Sequence, residues 1–100
     1  MKKIFKYTLP AVEKYVIKLP KDAWIIRVED VSGQFFLWAM VNTTEDVEME
    51  DHYLEFYKTG QPIETPIEDL IFLGTCKLFI MQELCLYVFE NINPIKNEIR

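Results

Sequence analysis

The stretch Ala23-Trp24-Ile25-Ile26-Arg27-Val28-Glu29-Asp30-Val31, then Ser32-Gly33-Gln34, then Phe35-Phe36-Leu37-Trp38-Ala39-Met40-Val41 decides the fold. Both flanks are rich in β-branched and aromatic residues, which suit a pleated, half-buried surface. The central tripeptide supplies the short glycine turn that closes a hairpin. Alternation in the first flank places Trp24, Ile26 and Val28 on one face. The second flank is apolar on both faces, so it reads as a central strand or as one covered by a partner.

Working outward, Lys3–Leu9 alternates with Phe5, Tyr7 and Leu9 on one side and Lys6 and Thr8 on the other, a half-buried strand that Pro10 ends. Tyr15–Leu19 alternates again, with Tyr15, Ile17 and Leu19 opposite Lys14, Val16 and Lys18, before a turn at Pro20-Lys21-Asp22. His52–Lys58 sets Tyr53, Glu55 and Tyr57 against His52, Leu54 and Phe56. Thr59-Gly60-Gln61-Pro62 is a turn, and Gln61–Glu68 is a proline-bearing loop. Leu70–Leu78 and Leu84–Phe89 are the last strands, joined through Phe79–Glu83 by a longer connection or a helical turn. Thr43–Asp51 is open between a short helix capped by Thr44 and a loop. Six to seven short strands at even spacing predict a mainly β protein, a small antiparallel sandwich or barrel with room for one short helix. The expected organisation is one β-rich domain over residues 1–90 and a polar tail over 91–100.

A chain of 100 residues, half of them hydrophobic, suits one ordered domain. Its longest apolar runs fall far short of the roughly 20 residues of a membrane-spanning helix. The lysine-rich start has no apolar segment behind it, so no signal peptide is expected and a cytoplasmic location is. Cys76 and Cys85 have neither the number nor the spacing of a zinc site and read as free thiols. Charge is polarised. Residues 1–27 carry seven basic groups against two acidic ones, and residues 28–100 carry four against fourteen. Such asymmetry steers partners or supports self-association into a homo-oligomer, unless neighbouring strands cancel it.

Chemistry is scarce. His52 is the sole histidine, and no nucleophile, base and orienter stand together in the sequence. The expectation is therefore a protein that is not an enzyme, with no catalytic residues, no metal and no cofactor. Glu45-Asp46-Val47-Glu48-Met49-Glu50-Asp51 concentrates five carboxylates. It lacks the spacing and turn glycine of a calcium loop. It reads either as a solvated acidic face or as a partner-binding surface made by Glu45, Asp46, Glu48, Glu50 and Asp51. The alternative is an anion site for a nucleotide ligand, built from Lys6, Lys14, Lys18 and Arg27 with Trp24 or Trp38. Nucleic acid itself is disfavoured, since the net charge repels phosphate and no basic aromatic motif is present.

A series of short motifs runs through the chain: Ile4-Phe5-Lys6-Tyr7, Leu19-Pro20, Gly33 before Leu37-Trp38-Ala39-Met40-Val41, Thr59-Gly60-Gln61-Pro62-Ile63, Gly74-Thr75 and Val88-Phe89-Glu90. In this order the chain resembles a family of small uncharacterised proteins found mainly in phage and prophage genomes. Tyr87 stands where that family often has a histidine. The resemblance implies a phage-type setting and transfers no catalytic residue. The resulting expectation is a non-catalytic accessory protein that counteracts host defence by binding and inhibiting a host protein. The alternatives are an oligomeric sponge for a nucleotide-type immune signal and a virion or assembly component.

Overall fold

The computed structural model describes residues 1–44 and 46–95. Seven strands form it: β1 (Lys2–Leu9), β2 (Lys14–Pro20), β3 (Trp24–Val31), β4 (Gln34–Asn42), β5 (Met49–Lys58), β6 (Leu70–Phe79) and β7 (Glu83–Asn91). A 3-10 turn at Ile67–Asp69 leads into β6. All seven strands lie in one sheet in the order β1-β4-β3-β6-β7-β5-β2.

That order forces the sheet to curl. β1 and β2 are consecutive in the chain yet occupy opposite edges, joined only by residues 10–13. The span from Leu9 to Lys14 reaches at most about 18 Å. A flat sheet of this width would hold its edges about 29 Å apart. The sheet therefore bends into a half-barrel, with β1, β4 and β3 in one limb, β7, β5 and β2 in the other, and β6 between them.

The inner face holds the core. One limb contributes Leu9, Ile25, Val28, Phe35, Leu37, Ala39 and Val41, and the other Ile17, Leu19, Leu54, Phe56, Leu86 and Val88, with Cys76 from β6. Leu9, Leu19, Leu37 and Leu54 are fully buried, and each such side chain stabilises the fold by about 2 kcal/mol. Burial also pushes the Cys76 thiol up to about 12, which leaves it inert at neutral pH.

The β3–β4 hairpin forms as its sequence requires. Ser32 and Gly33 make a two-residue turn with φ of 51° and 84°, the left-handed pair that a twisted hairpin favours. The face assigned to β3 is corrected. A bulge between Ile25 and Arg27 inserts an extra residue, so Ile25 and Val28 enter the core while Trp24 and Ile26 are exposed.

Four smaller points concern strand pairing, connections and the chain end. β3 and β6 pair in parallel through Val28 with Gly74 and Glu29 with Thr75, while the other strand pairs are antiparallel. The β6–β7 link is short, Phe79 facing Glu83 across residues 80–82, with no helical turn. Of the acidic stretch, residues 46–48 are irregular and Met49 opens β5, whereas Glu45 lies outside the described residues. Asn91 ends β7 and is buried, so the ordered sheet runs one residue into the expected tail, whose residues 96–100 lie outside the description.

Candidate functional site

The outer face of β1, β4 and β3 gathers residues from both sequence-based proposals. Strand register places Ile4 and Trp24 on either side of Met40, and Lys6 and Arg27 on either side of Trp38. Arg27 lies over the Trp38 ring at 4.3 Å from its centroid, and Lys6 over the Phe36 ring at 4.5 Å. The Arg27 guanidinium also pairs with Glu29 at 3.0 Å. These cations cover aromatic faces that would otherwise meet water, a contact worth about 0.5–1 kcal/mol at an exposed site. Trp24 has no such cover and is 70% exposed. It follows the β2–β3 turn, where Asp22 adopts φ 64° and Ala23 N–H donates to the Pro20 carbonyl.

Trp24 opens onto a groove of about 580 Å³ whose walls include Lys2, Lys21, Met40, Asp46 and Glu48. The Lys21 N–H donates to the Glu48 carbonyl at 2.7 Å, which ties the acidic segment to the β2–β3 turn. Asp46 and Glu48 are exposed and form no ion pair among the described residues. The groove thus sets one large uncovered aromatic between two cations, Lys2 and Lys21, and three carboxylates, Asp22, Asp46 and Glu48, that form no ion pair among the described residues. It can take a mixed-charge surface with an apolar or cationic side chain over Trp24.

The acidic run divides. Asp51 is held by Lys18 at 2.8 Å, and the Glu50 carboxylate accepts the Asp22 backbone N–H at 2.9 Å. These two acids fasten β5 to β2 and to its turn, which is where neighbouring strands cancel the charge polarity. The cation set divides as well. Lys6, Trp24, Arg27 and Trp38 share the outer face of one limb, whereas Lys14 and Lys18 lie on β2 in the other.

Two polar clusters were invisible in the sequence. Glu55, only 4% exposed, accepts hydrogen bonds from Tyr57 Oη, Thr65 Oγ1 at 2.9 Å and Asn91 Nδ2 at 2.9 Å. Burial, with the adjoining Glu55 carboxylate, pushes the Tyr57 phenol up to about 12. The cluster pins the 61–66 loop over β5 beside a groove of about 770 Å³ walled by Lys14, Tyr53, Gln61, Pro62 and Glu64. On the inner face, His52 Nδ1 lies 2.7 Å from Glu90 Oε2, which raises the imidazole pKa; its Nε2 is buried without a partner among the described residues. The hairpin tip Phe79-Ile80-Met81 is also strongly exposed. Its signal in the sequence is the lack of turn-forming residues between two apolar strands.

Among the described residues, no three metal-ligating side chains converge, and no helix is long and apolar enough to cross a membrane. Comparison with curated proteins and with solved structures found no match to the chain. Comparison with protein families matched residues 1–98 to one described as Domain of unknown function (DUF7352). Since that match spans nearly the whole chain, the protein belongs to this family.

Proposed function

We propose that the chain is a non-catalytic, phage-type accessory protein of the host cytoplasm that counteracts a defence by binding a host protein. The contact is the outer face of β1, β4 and β3, with Trp24 as its anchor and Asp46 and Glu48 at its rim. The observation that carries this reading is the uncovered Trp24 beside the unpaired carboxylates of its groove. Tryptophan and arginine dominate the binding energy of protein interfaces, and an apolar patch with a charged rim is their usual setting. The motif series behind the phage-type setting supports the biological context.

The test is plaquing of a defence-sensitive phage on hosts that express the protein together with one defined defence system each. The wild type restores plaquing on one of these hosts. Trp24→Ala and the Asp46→Asn, Glu48→Gln pair lose that effect while retaining the wild-type melting temperature. Equal plaquing with and without the protein on every defended host overturns the proposal.

One observation favours a second reading, a sponge for a nucleotide-type signal. Lys6, Trp24, Arg27 and Trp38 share one face, so an anionic planar ligand would meet cations and rings together. A nucleotide that binds the native state raises the melting temperature. No shift with a panel of cyclic nucleotides and ADP-ribose derivatives removes this reading.

A further inference from the structure

We propose that two copies of the chain pair antiparallel through β1, with Phe5 on the two-fold axis, to make one continuous sheet of both protomers. This inference is independent of the function proposed above.

The free edge of β1 has a definite polarity. The Thr43 N–H donates to the Met1 carbonyl at 2.9 Å. Since Lys2 pairs with Asn42, Met1 and Thr43 belong to a hydrogen-bonded pair, and such pairs recur at every second residue of an antiparallel ladder. Lys3, Phe5, Tyr7 and Leu9 therefore turn their backbone groups toward β4. Lys2, Ile4, Lys6 and Thr8 turn theirs outward, to the open edge.

Lys2, Lys3 and Lys6 give this edge charge as its one protection, and their placement decides which register is open to it. β1 pairs with β4 over eight residues in unbroken register, without a bulge, and contains no proline. At its centre Ile4 is 58% exposed and Phe5 43% exposed, one on each face. β2, the other edge, ends in Pro20, which has no N–H to give. Its outward residues include Lys14 and Lys18, which oppose each other when β2 pairs with itself about Val16.

Self-pairing of β1 must match outward residues with outward residues, which leaves few registers. Centred on Lys3, it opposes Lys3 to Lys3. Centred on Ile4, it opposes Lys2 to Lys6. Centred on Lys6, it opposes Lys6 to Lys6. Like charges directly opposite are unfavourable. Centred on Tyr7, it pairs only residues 5–9 and sets the outward Ile4 against Pro10, which has no N–H to give. Centred on Phe5, it sets Lys2 against Thr8, Lys3 against Tyr7 and Ile4 against Lys6, with the two Phe5 rings facing across the axis. In that register the lysines approach only on the diagonal, at about 7–8 Å, where solvent screens them. The contact is isologous and closes at two copies. It also joins the Ile4–Lys6–Trp38 faces of both protomers into one platform.

The test is native mass spectrometry and light scattering on the full chain across micromolar to submillimolar concentration. The expected result is a dimer for the wild type and a monomer for Ile4→Pro and Thr8→Pro. Each proline removes an outward N–H that β4 does not use, so the melting temperature stays unchanged. With Cys85→Ser as background, mild oxidation is expected to cross-link Phe5→Cys, whose copies face each other in a non-hydrogen-bonded pair, and to leave Ile4→Cys uncoupled. A wild-type monomer at every concentration, or a dimer that survives both prolines, overturns the proposal. Cross-linking through Ile4→Cys and not Phe5→Cys overturns the register.

Discussion

Gly74 packs directly against the carbonyl of Val28, where the parallel β3–β6 pair joins the two limbs of the sheet. Its φ of +149° is one that side-chain-bearing residues rarely adopt, and a Cβ built there runs into the Val28 backbone. The register of β6 against β7 also shifts between Phe72 and Gly74, so the strand bends at this point. Gly74→Ala is expected to destabilise the protein by about 3 kcal/mol or more, through strain together with a backbone clash. Urea unfolding followed by tyrosine and tryptophan fluorescence measures it. Gly33→Ala and Gly60→Ala, which meet nothing within 4 Å, should cost about 1 kcal/mol from positive φ alone.

Glu55 is the keystone of the loop that covers the second limb. Its carboxylate accepts from three side chains on three segments, Tyr57 on β5, Thr65 in the loop and Asn91 at the end of β7. Glu55→Ala leaves those donors without their acceptor and is expected to cost about 3 kcal/mol. Tyr57→Phe and Thr65→Val each remove one donor and should cost about 1 kcal/mol. Limited proteolysis gives the structural readout: cleavage within residues 60–66 should quicken in Glu55→Ala before global unfolding sets in.

The strands were legible because each follows a local rule. Alternation of period two in Tyr15–Leu19 and His52–Lys58, and the Ser32-Gly33 turn, are short-range signals that the surrounding fold respects. The order of the strands was not legible. Linking opposite edges through residues 10–13 is a consequence of closure, and no residue in that link encodes which strands meet. The bulge at Ile26 was hidden for a related reason, since Trp24, Ile26 and Val28 satisfy alternation as sequence and the bulge appears only against β4. For the site, the residue types of Trp24, Arg27 and Trp38 were legible as binding candidates. Their union with Lys6, and the loss of Asp51 and Lys18 to an ion pair, depended on cross-strand register.

Arg27 guards Trp38, and this makes the outer face separable from the fold. Arg27→Ala should expose the ring and shift its fluorescence to longer wavelength, with a loss of about 1 kcal/mol from the cation contact and the covered apolar surface. Trp24→Ala should leave stability within about 0.5 kcal/mol, since the ring is largely in solvent. Thermal melts of the two variants, read beside their emission spectra, check both. A large stability loss in Trp24→Ala would mean that this ring is part of the packing and would remove it as the anchor of a contact.

His52 and Glu90 make stability depend on pH in a direction the geometry fixes. The hydrogen bond that the ring Nδ1–H donates to the Glu90 carboxylate raises the imidazole pKa above its usual 6.5, with burial opposing it and Glu50 and Asp51 of β5 adding attraction. Asp51 is itself engaged by Lys18 of β2. A group whose folded pKa is raised lends stability that is fully present below its unfolded pKa and is lost as pH rises through the folded value. The pair should therefore stabilise the protein fully below the usual imidazole value of 6.5 and lose that contribution as pH rises through the higher folded value. The protonated ring has no acceptor for its buried Nε2–H among the described residues. That offsets part of the gain and holds the contribution to about 1 kcal/mol. Glu90→Gln should lower the melting temperature most at the acidic end of this window and least at its alkaline end. Melts taken through neutrality on wild type, Glu90→Gln and His52→Gln check this, and parallel curves for all three would show that the pair carries no proton-linked stability.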